Sequence, residues 1–336
     1  MEINPAGTIG GAKKLQSDGN YIVKDEEKTN PNHGWKPRER PLSEYLQAGV
    51  INLDKPPGPS SHEVVAWVKR LLSLERAGHG GTLDPKVSGI LPITLGRSTR
   101  IIAFIMRSGK EYVCLMELHE DIGVERLNAA VSEFIGPIYQ LPPVRSAVKR
   151  ALRIRNVYSI KILEKEGKNV LMRVDCEAGT YIRKLCHDIG ELLGCGAHMR
   201  ELRRVRAGPF SEAGGSHTLH EVLDAIQLWK SSGDESLLRD VVMPIEESLG
   251  SFPKLFIRDS AVEAICHGAN LASPGVLRVE RGIKAGEIIA LMTGKGELVG
   301  LAKATMPSEE IASSSHGIVA RTERVVMAEG TYPKGW

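Results

Sequence analysis

Between an amphipathic helical pattern and an apolar strand pattern, the chain carries Gly78-His79-Gly80-Gly81-Thr82-Leu83-Asp84-Pro85, followed closely by Gly89. Glycine at 78, 80, 81 and 89 rules out a regular helix. The segment must be a loop held between two ordered elements. Pro85 biases Asp84 to an extended backbone, and the glycines let another backbone or a ligand approach closely. Catalytic groups concentrate on loops of this kind, carried by a rigid scaffold. Taken alone, a turn aspartate before a proline is the plainer reading. No Gly-Lys-Ser/Thr follows, so the loop is not a P-loop.

The flanking elements follow from period and punctuation. VINLDK predicts a short strand from Val50, and PPGPSS a turn. Ser60 and Glu63 have capping-box spacing, and Val64, Val65, Trp67, Val68, Leu71 and Leu72 are predicted on one helix face. ILPITLG returns to strand. Further strands are predicted over 110–119, 153–165, 168–176 and 198–206. Helices are predicted over 123–135, 184–193, 219–230 and 235–248, the second with Leu185, Ile189, Leu192 and Leu193 inward. Strands pairing through hairpins favour an α+β fold with a mixed, mainly antiparallel sheet. Beyond Gly250–Pro253, short runs such as GVLRVE, EIIALMT and LVGLAKA are broken by glycine turns, the texture of a small β-barrel-like domain. Residues 1–49 are polar and read as an extension, either loose or laid across another domain. The expected division is therefore 1–49, 50–250 and 251–336.

A chain of 336 residues accommodates about two domains, and 42% hydrophobic residues can fill their cores. The net charge of +3 says little, so the placement of basic residues matters more. No apolar run reaches the roughly 18–20 residues of a membrane span, and the N-terminus lacks the apolar core of a signal peptide. Five cysteines, an odd number without a CxxC pair, argue against structural disulfides and for a reducing cytoplasm. Cys186, His187, Cys195 and His198 fall close together, but not at the spacing of paired zinc ligands. Buried thiols and a surface or core histidine are the plainer reading, and no metal is expected.

Two other signals bear on chemistry. If the chain is still extended at Gly179-Thr180-Tyr181-Ile182-Arg183, Tyr181 and Arg183 point to one side, where they can cover a base and pair with a carboxylate. A strand-end tyrosine and a solvated arginine remain the alternative. Basic residues also cluster, at Arg145, Lys149, Arg150, Arg153, Arg155 and Lys161, and at Arg200, Arg203, Arg204 and Arg206. Such clusters suit a phosphate backbone or form a solvated charged face.

Read in order, these segments resemble the TruB family of pseudouridine synthases over most of residues 50–250. LDKPPGPSSHEV is similar to the family's first motif, with Lys55 and Pro56 in place, and AGHGGTLDPKVSGILPI to the motif carrying the catalytic aspartate, Asp84. KEYV supplies Tyr112, GTYIRKL supplies Tyr181 and Arg183, and MRELRRVRAGPF supplies Leu202. GHGGTLDP, QLPPVRSAVKR and RVVMAEGTYPKGW more closely resemble the archaeal branch, the dyskerin-like catalytic subunit of box H/ACA guide-RNA particles. The lysine-rich tail of eukaryotic dyskerins is missing. Residues 252–329 resemble a PUA domain, with HGANLASPGVL as its RNA-contacting stretch, hence Gly268, Ala269, Asn270, Leu271 and Pro274. The basic residues Arg145, Lys149 and Arg150 are further RNA-contact candidates. The N-terminal extension would pack on the PUA side.

The resemblance implies isomerisation of uridine in rRNA under a guide RNA, and in the T-arm of tRNA. The base must leave its stack. Tyr112 would stack on it and Tyr181 would contact base or ribose. Arg183 would hold Asp84 ionised, Leu202 would exclude water, and His79 would support the flipped substrate. An isomerisation needs no cofactor, ATP or metal. The partners implied are the guide RNA, substrate RNA, two small accessory proteins and a kink-turn-binding ribosomal-type protein, with no membrane. A base-releasing N-glycosylase and a non-catalytic RNA-binding scaffold are the competing readings.

Overall fold

The computed structural model describes residues 16–107, 109–141, 151–250 and 252–334. Arg145, Lys149 and Arg150 lie outside them. The chain forms two units, one of residues 37–251 and one that joins residues 1–36 to 252–336.

The larger unit is built on a mixed sheet. Its main strands are β1 (Gly49–Lys55), β2 (Ser88–Leu95), β3 (Lys110–Leu118), β4 (Gly136–Gln140), β5 (Arg153–Glu166), β6 (Asn169–Cys176) and β7 (Ala197–Ala207). They lie in the order β1-β2-β7-β3-β6-β5-β4. The β2–β7 pair is parallel and the other neighbours are antiparallel. Along β3 burial alternates, so Lys110, Tyr112, Cys114, Met116 and Leu118 enter the core and the residues between them do not.

Helix α1 (Ser61–Leu71) begins with the capping box read from sequence, Ser60 and Glu63 each accepting a backbone N–H from the other. Helix α2 (Ile182–Leu193) buries Ile182, Leu185, Cys186, Ile189 and Leu193 and stops at Gly194, whose φ of 73° suits glycine. Burial of each such leucine or isoleucine contributes about 1.5–3 kcal/mol. Two expected core residues are exposed, Trp67 in α1 and Leu192 in α2. Both sit at the edge of the buried stripe rather than within it. The helix expected over 235–248 is only Ser236–Val241, followed by a 3-10 turn at Ile245–Ser248. Pro244 interrupts it, because proline restrains the preceding residue to extended backbone.

The smaller unit is an eight-stranded sheet. It runs from Gln16–Asp18 through Tyr21–Val23, Val276–Glu280, Lys254–Ile257, Ile288–Met292, Leu298–Ala304 and Ile318–Val325 to Leu271–Ala272. The N-terminal extension is not one piece. Residues Tyr21–Val23 pair antiparallel with Val276–Glu280 in this unit. Residues 37–49 belong to the larger unit, where Leu42–Gln47 is helical and the Tyr45 hydroxyl donates to the carbonyl of Val242. Two polar anchors, half-buried Lys24 and buried Glu297, fix the segment that follows the N-terminal strand. The Lys24 ammonium donates to the carbonyls of Ser273, Ile311 and Ser314 at 3.0, 3.1 and 2.7 Å. The Glu297 carboxylate accepts from Trp35 N, the Tyr332 hydroxyl and the Thr293 hydroxyl at 3.0, 2.7 and 3.1 Å.

Candidate active site

The loop that carries Asp84 is fixed from below at almost every residue. Gly80 N donates to the carbonyl of Pro92 at 2.8 Å. The Ser61 hydroxyl, wholly buried at the start of α1, accepts from Leu83 N at 2.8 Å and donates to Leu83 O at 3.0 Å. Gly58 N donates to Pro85 O, and Val87 N to Asp84 O. The Lys55 ammonium donates to the carbonyls of Pro56, Pro59 and Pro85 at 2.7, 2.8 and 3.3 Å. Burial lowers the Lys55 pKa and the Asp84 carboxylate opposes that shift. Lys55 and Pro56 thus tie two loops together from inside the fold.

Asp84 is brought against Arg183, whose Nη2 donates to Asp84 Oδ2 at 2.7 Å, although 99 residues separate them. Both side chains are more than half exposed. An exposed pair of this kind contributes about 0–1 kcal/mol to stability, so its value is in aim rather than cohesion. The extended stretch expected through Arg183 does not occur. Tyr181 is extended, but α2 begins at Ile182, which places Arg183 in the first helical turn. Tyr181 is half-buried, and its backbone N and O are both bonded to the Gln140 side-chain amide, at 2.9 and 3.1 Å.

Tyr112, on β3, is 8% exposed and leaves little of its ring open. Burial raises its hydroxyl pKa and the guanidinium of Arg204 pulls it back. Arg204 is the largest fully buried side chain among the described residues. Its Nε donates to Ile90 O at 2.7 Å and its Nη2 to Gly81 O at 2.9 Å, so it holds the Asp84 loop to β2. At Gly81 (φ +122°) an added Cβ would lie 3.3 Å from the Lys110 side chain, which places that lysine under the loop as well. Burial, reinforced by Arg204, lowers the Lys110 pKa to about 8. His79 meets His62 edge to face at 5.0 Å, and burial, with His62 and Arg204, lowers its pKa to about 4. His79 is therefore neutral near pH 7, its Nδ1 accepting from Gly81 N at 3.3 Å. Leu202 on β7 pairs with Cys114 of β3 and packs, half-buried, against the core.

The basic cluster at 200–206 is not an open cationic stripe. Arg204 is internal. Arg203 pairs with Asp54 and Glu212, Arg206 with Asp175 and Glu111, and Arg200 with Glu117. Strand alternation sends these side chains to different sides, and carboxylates on neighbouring strands meet them. In the first cluster, Arg155 pairs with Glu177. The cysteine–histidine group also separates. Cys186 lies buried against Cys114, with sulfurs 3.5 Å apart, and His198 lies against His119 near the surface.

In the smaller unit, Gly268, Ala269, Asn270 and Pro274 are exposed. Leu271 is 1% exposed and belongs to the core, so its side chain is not an RNA contact. Asn270 Oδ1 accepts from Thr322 N at 3.1 Å and the Ala269 carbonyl from the Thr322 hydroxyl at 2.6 Å. Asn270 and Pro274 border an open groove of about 860 Å³ that Lys24, Arg258 and Ser313 also line.

The roles of Ser61, Gln140 and Lys110 escaped sequence reasoning, and Arg204 was read only as one of a basic cluster. Only Lys110 had a usable signal, since strand alternation places it on the face of Tyr112.

Family models match along the chain. Residues 69–182 match the TruB family pseudouridylate synthase N-terminal domain, and 183–250 the tRNA pseudouridylate synthase B C-terminal domain. Residues 253–326 match the PUA domain and 12–65 the DKCLD domain. A probable tRNA pseudouridine synthase B of Methanopyrus kandleri is 57% identical over 319 residues, covering 95% of this chain and 94% of that protein. The structure of an H/ACA RNP bound to a substrate RNA containing 2'-deoxyuridine matches with a TM-score of 0.87 and 50% identity, over 94% of this chain and 97% of that one. A Cbf5-Nop10-Gar1 complex matches with a TM-score of 0.87 and 52% identity, over 96% and 97%. The chain belongs to the TruB family of pseudouridine synthases and carries a PUA domain in the manner of archaeal Cbf5.

Proposed function

We propose that this pseudouridine synthase acts on uridine in rRNA under a box H/ACA guide RNA, and on the T-arm of tRNA, with Asp84 as its reacting carboxylate. The observation that carries the site assignment is the 2.7 Å bond from Arg183 to Asp84. A guanidinium at that distance donates a charge-assisted hydrogen bond that aims one carboxylate oxygen.

The base is flipped out of its stack and received beside Tyr112 and Leu202. Asp84 then acts at ribose C1′ as nucleophile or at C2′ as base. The N1–C1′ bond breaks, uracil turns, C5 bonds to C1′, and the C5 proton leaves while N1 gains one. Neutral His79 supports the flipped nucleotide without adding charge, Tyr181 contacts base or ribose, and Leu202 keeps water from the detached base. The reaction conserves atoms and redox state, so it calls for no cofactor. Glycosidases usually pair two carboxylates; the partner of Asp84 here is an arginine.

Gly268, Ala269, Asn270 and Pro274 form the guide-RNA contact of the PUA domain, with Arg145, Lys149 and Arg150 as further RNA contacts. The solved relatives include assemblies named with substrate RNA, Nop10 and Gar1. That supports small accessory proteins as partners of this chain; the kink-turn-binding ribosomal-type protein is a further partner that the family resemblance implies.

The test uses target RNA tritiated at uridine C5, with guide RNA and accessory proteins. Release of tritium with an intact chain is expected. Asp84→Asn should abolish release while RNA binding stays within about 1 kcal/mol, because phosphate contacts dominate affinity. Free uracil would identify a glycosylase, and normal turnover by Asp84→Asn would overturn the site.

A further inference from the structure

Helix α2 delivers Arg183 to Asp84, and the turn before it is closed locally by Thr180, whose N and hydroxyl donate to Glu177 O at 3.3 and 2.8 Å. The N-cap residue of the helix is Tyr181, which makes no side-chain cap, and tyrosine is not among the residues that cap well. Just before it, Gly179 has a φ of +87°, a conformation that glycine reaches with little restraint. The restraint on the peptide at position 181 itself comes from 41 residues away. Gln140, the last residue of β4 and 2% exposed, accepts from Tyr181 N at 2.9 Å and donates to Tyr181 O at 3.1 Å. Two antiparallel bonds from one planar amide reproduce the exchange made between paired strand residues. They fix both the translation and the rotation of the peptide at position 181. Ile182, the next residue, is locked in the core, and Arg183 follows it directly.

We propose that Gln140 is a positioning residue for the isomerisation, setting the start of α2 and through it the aim of Arg183 at Asp84. This rests on the reading of Asp84 as the reacting carboxylate. Gln140 itself touches neither member of the pair. The chemistry depends on placement, since a 1 Å displacement of a catalytic partner can cost about a hundredfold in rate.

The experiment is a mutant cycle in the assembled particle with C5-tritiated RNA under single turnover. Gln140→Leu keeps the bulk and removes both bonds, and Gln140→Glu keeps the acceptor and loses the donor. The expected result is a turnover constant reduced about 10- to 100-fold by Gln140→Leu. The reduction by Gln140→Glu should be similar, because an ionised carboxylate faces the Tyr181 carbonyl. Half-saturating RNA concentration should stay within about twofold, since phosphate contacts set it. Hydrogen exchange at the Tyr181 amide should quicken. Arg183→Lys supplies the other arm. If Gln140 acts through Arg183, adding Gln140→Leu to Arg183→Lys costs little more, whereas a merely structural role makes the two losses multiply. Turnover within twofold of the parent, with Tyr181 exchange raised, would overturn the proposal, as would multiplicative losses. Should Gln140→Leu fail to fold, the Gln140→Glu arm of the cycle decides. Asp84→Asn in parallel separates the two readings: if it stays active, the site is wrong whatever Gln140 does.

Discussion

Ser61→Ala is the smallest change that probes the Asp84 loop. The wild-type hydroxyl is wholly buried and satisfies both backbone groups of Leu83, the residue before Asp84. Alanine leaves the Leu83 N–H without its partner, at a cost of about 1–3 kcal/mol for a buried donor. Loss of the bond to the Leu83 carbonyl adds about 0.5–1.5 kcal/mol. Alanine's better helix propensity, about 0.5 kcal/mol at this position, offsets part of the loss. The net is about 2 kcal/mol. At 1.4 kcal/mol per tenfold, the Leu83 amide should exchange about 30-fold faster wherever local opening controls it. Urea denaturation of the larger unit should show a similar loss with unchanged slope. Turnover should fall by about tenfold, because the carboxylate next to the loosened peptide samples off-target positions. A stability change below about 0.5 kcal/mol together with unaltered turnover would refute the claim that this hydroxyl fixes the loop.

Further outcomes are expected from the same geometry. Gly89→Ala puts a Cβ 2.2 Å from the Arg204 carbonyl at a φ of +103°, and should cost more than about 3 kcal/mol, seen as a lowered melting temperature or insoluble protein. Lys110 has a folded pKa of about 8, below its ordinary value of 10.5. Between those values the unfolded chain holds the extra proton, so stability should rise with pH across that window, and Lys110→Met should flatten the rise in a pH series of urea midpoints. His79, at about 4, should likewise make the fold lose stability as pH falls from 6.5 towards 4, a loss that His79→Gln removes. Glu297→Ala strands Trp35 N and the Tyr332 hydroxyl, and should destabilise the smaller unit by about 3 kcal/mol while exposing residues 24–36 to limited proteolysis.

Much of the architecture was legible because its signals are local. The Ser60–Glu63 capping box, the alternation along 110–118 and the glycine stop after α2 each lie within one element. The readings that failed depended on partners far away in sequence. Arg204 looked like one of four phosphate-binding arginines; its carbonyl partners lie at Gly81 and Ile90, more than a hundred residues earlier. Gln140 opens the QLPPVRSAVKR segment, but nothing in that segment points to a bond with the peptide of Tyr181, 41 residues later. Leu271 sits in a polar, glycine-flanked stretch, yet its position opposite Ala320 turns it into the core. Asp84, Tyr181 and Arg183 stood out in local pattern, but their roles came from the family resemblance. Spacing alone did not establish that Asp84 and Arg183 meet, nor that α2 begins between Tyr181 and Arg183.

The antiparallel pairing of Tyr21–Val23 with Val276–Glu280 has a consequence for how the molecule comes into being. A ribosome making it at ~5–20 residues per second delivers the second strand roughly 250 residues, and so ~10–50 s, after the first. Meanwhile the whole larger unit emerges and is free to fold from contiguous sequence. The early strand waits as an unpaired edge, a form open to mispairing with other chains. Its polar tether is then latched late, when Lys24 and Trp35 finally meet their carbonyl and carboxylate partners.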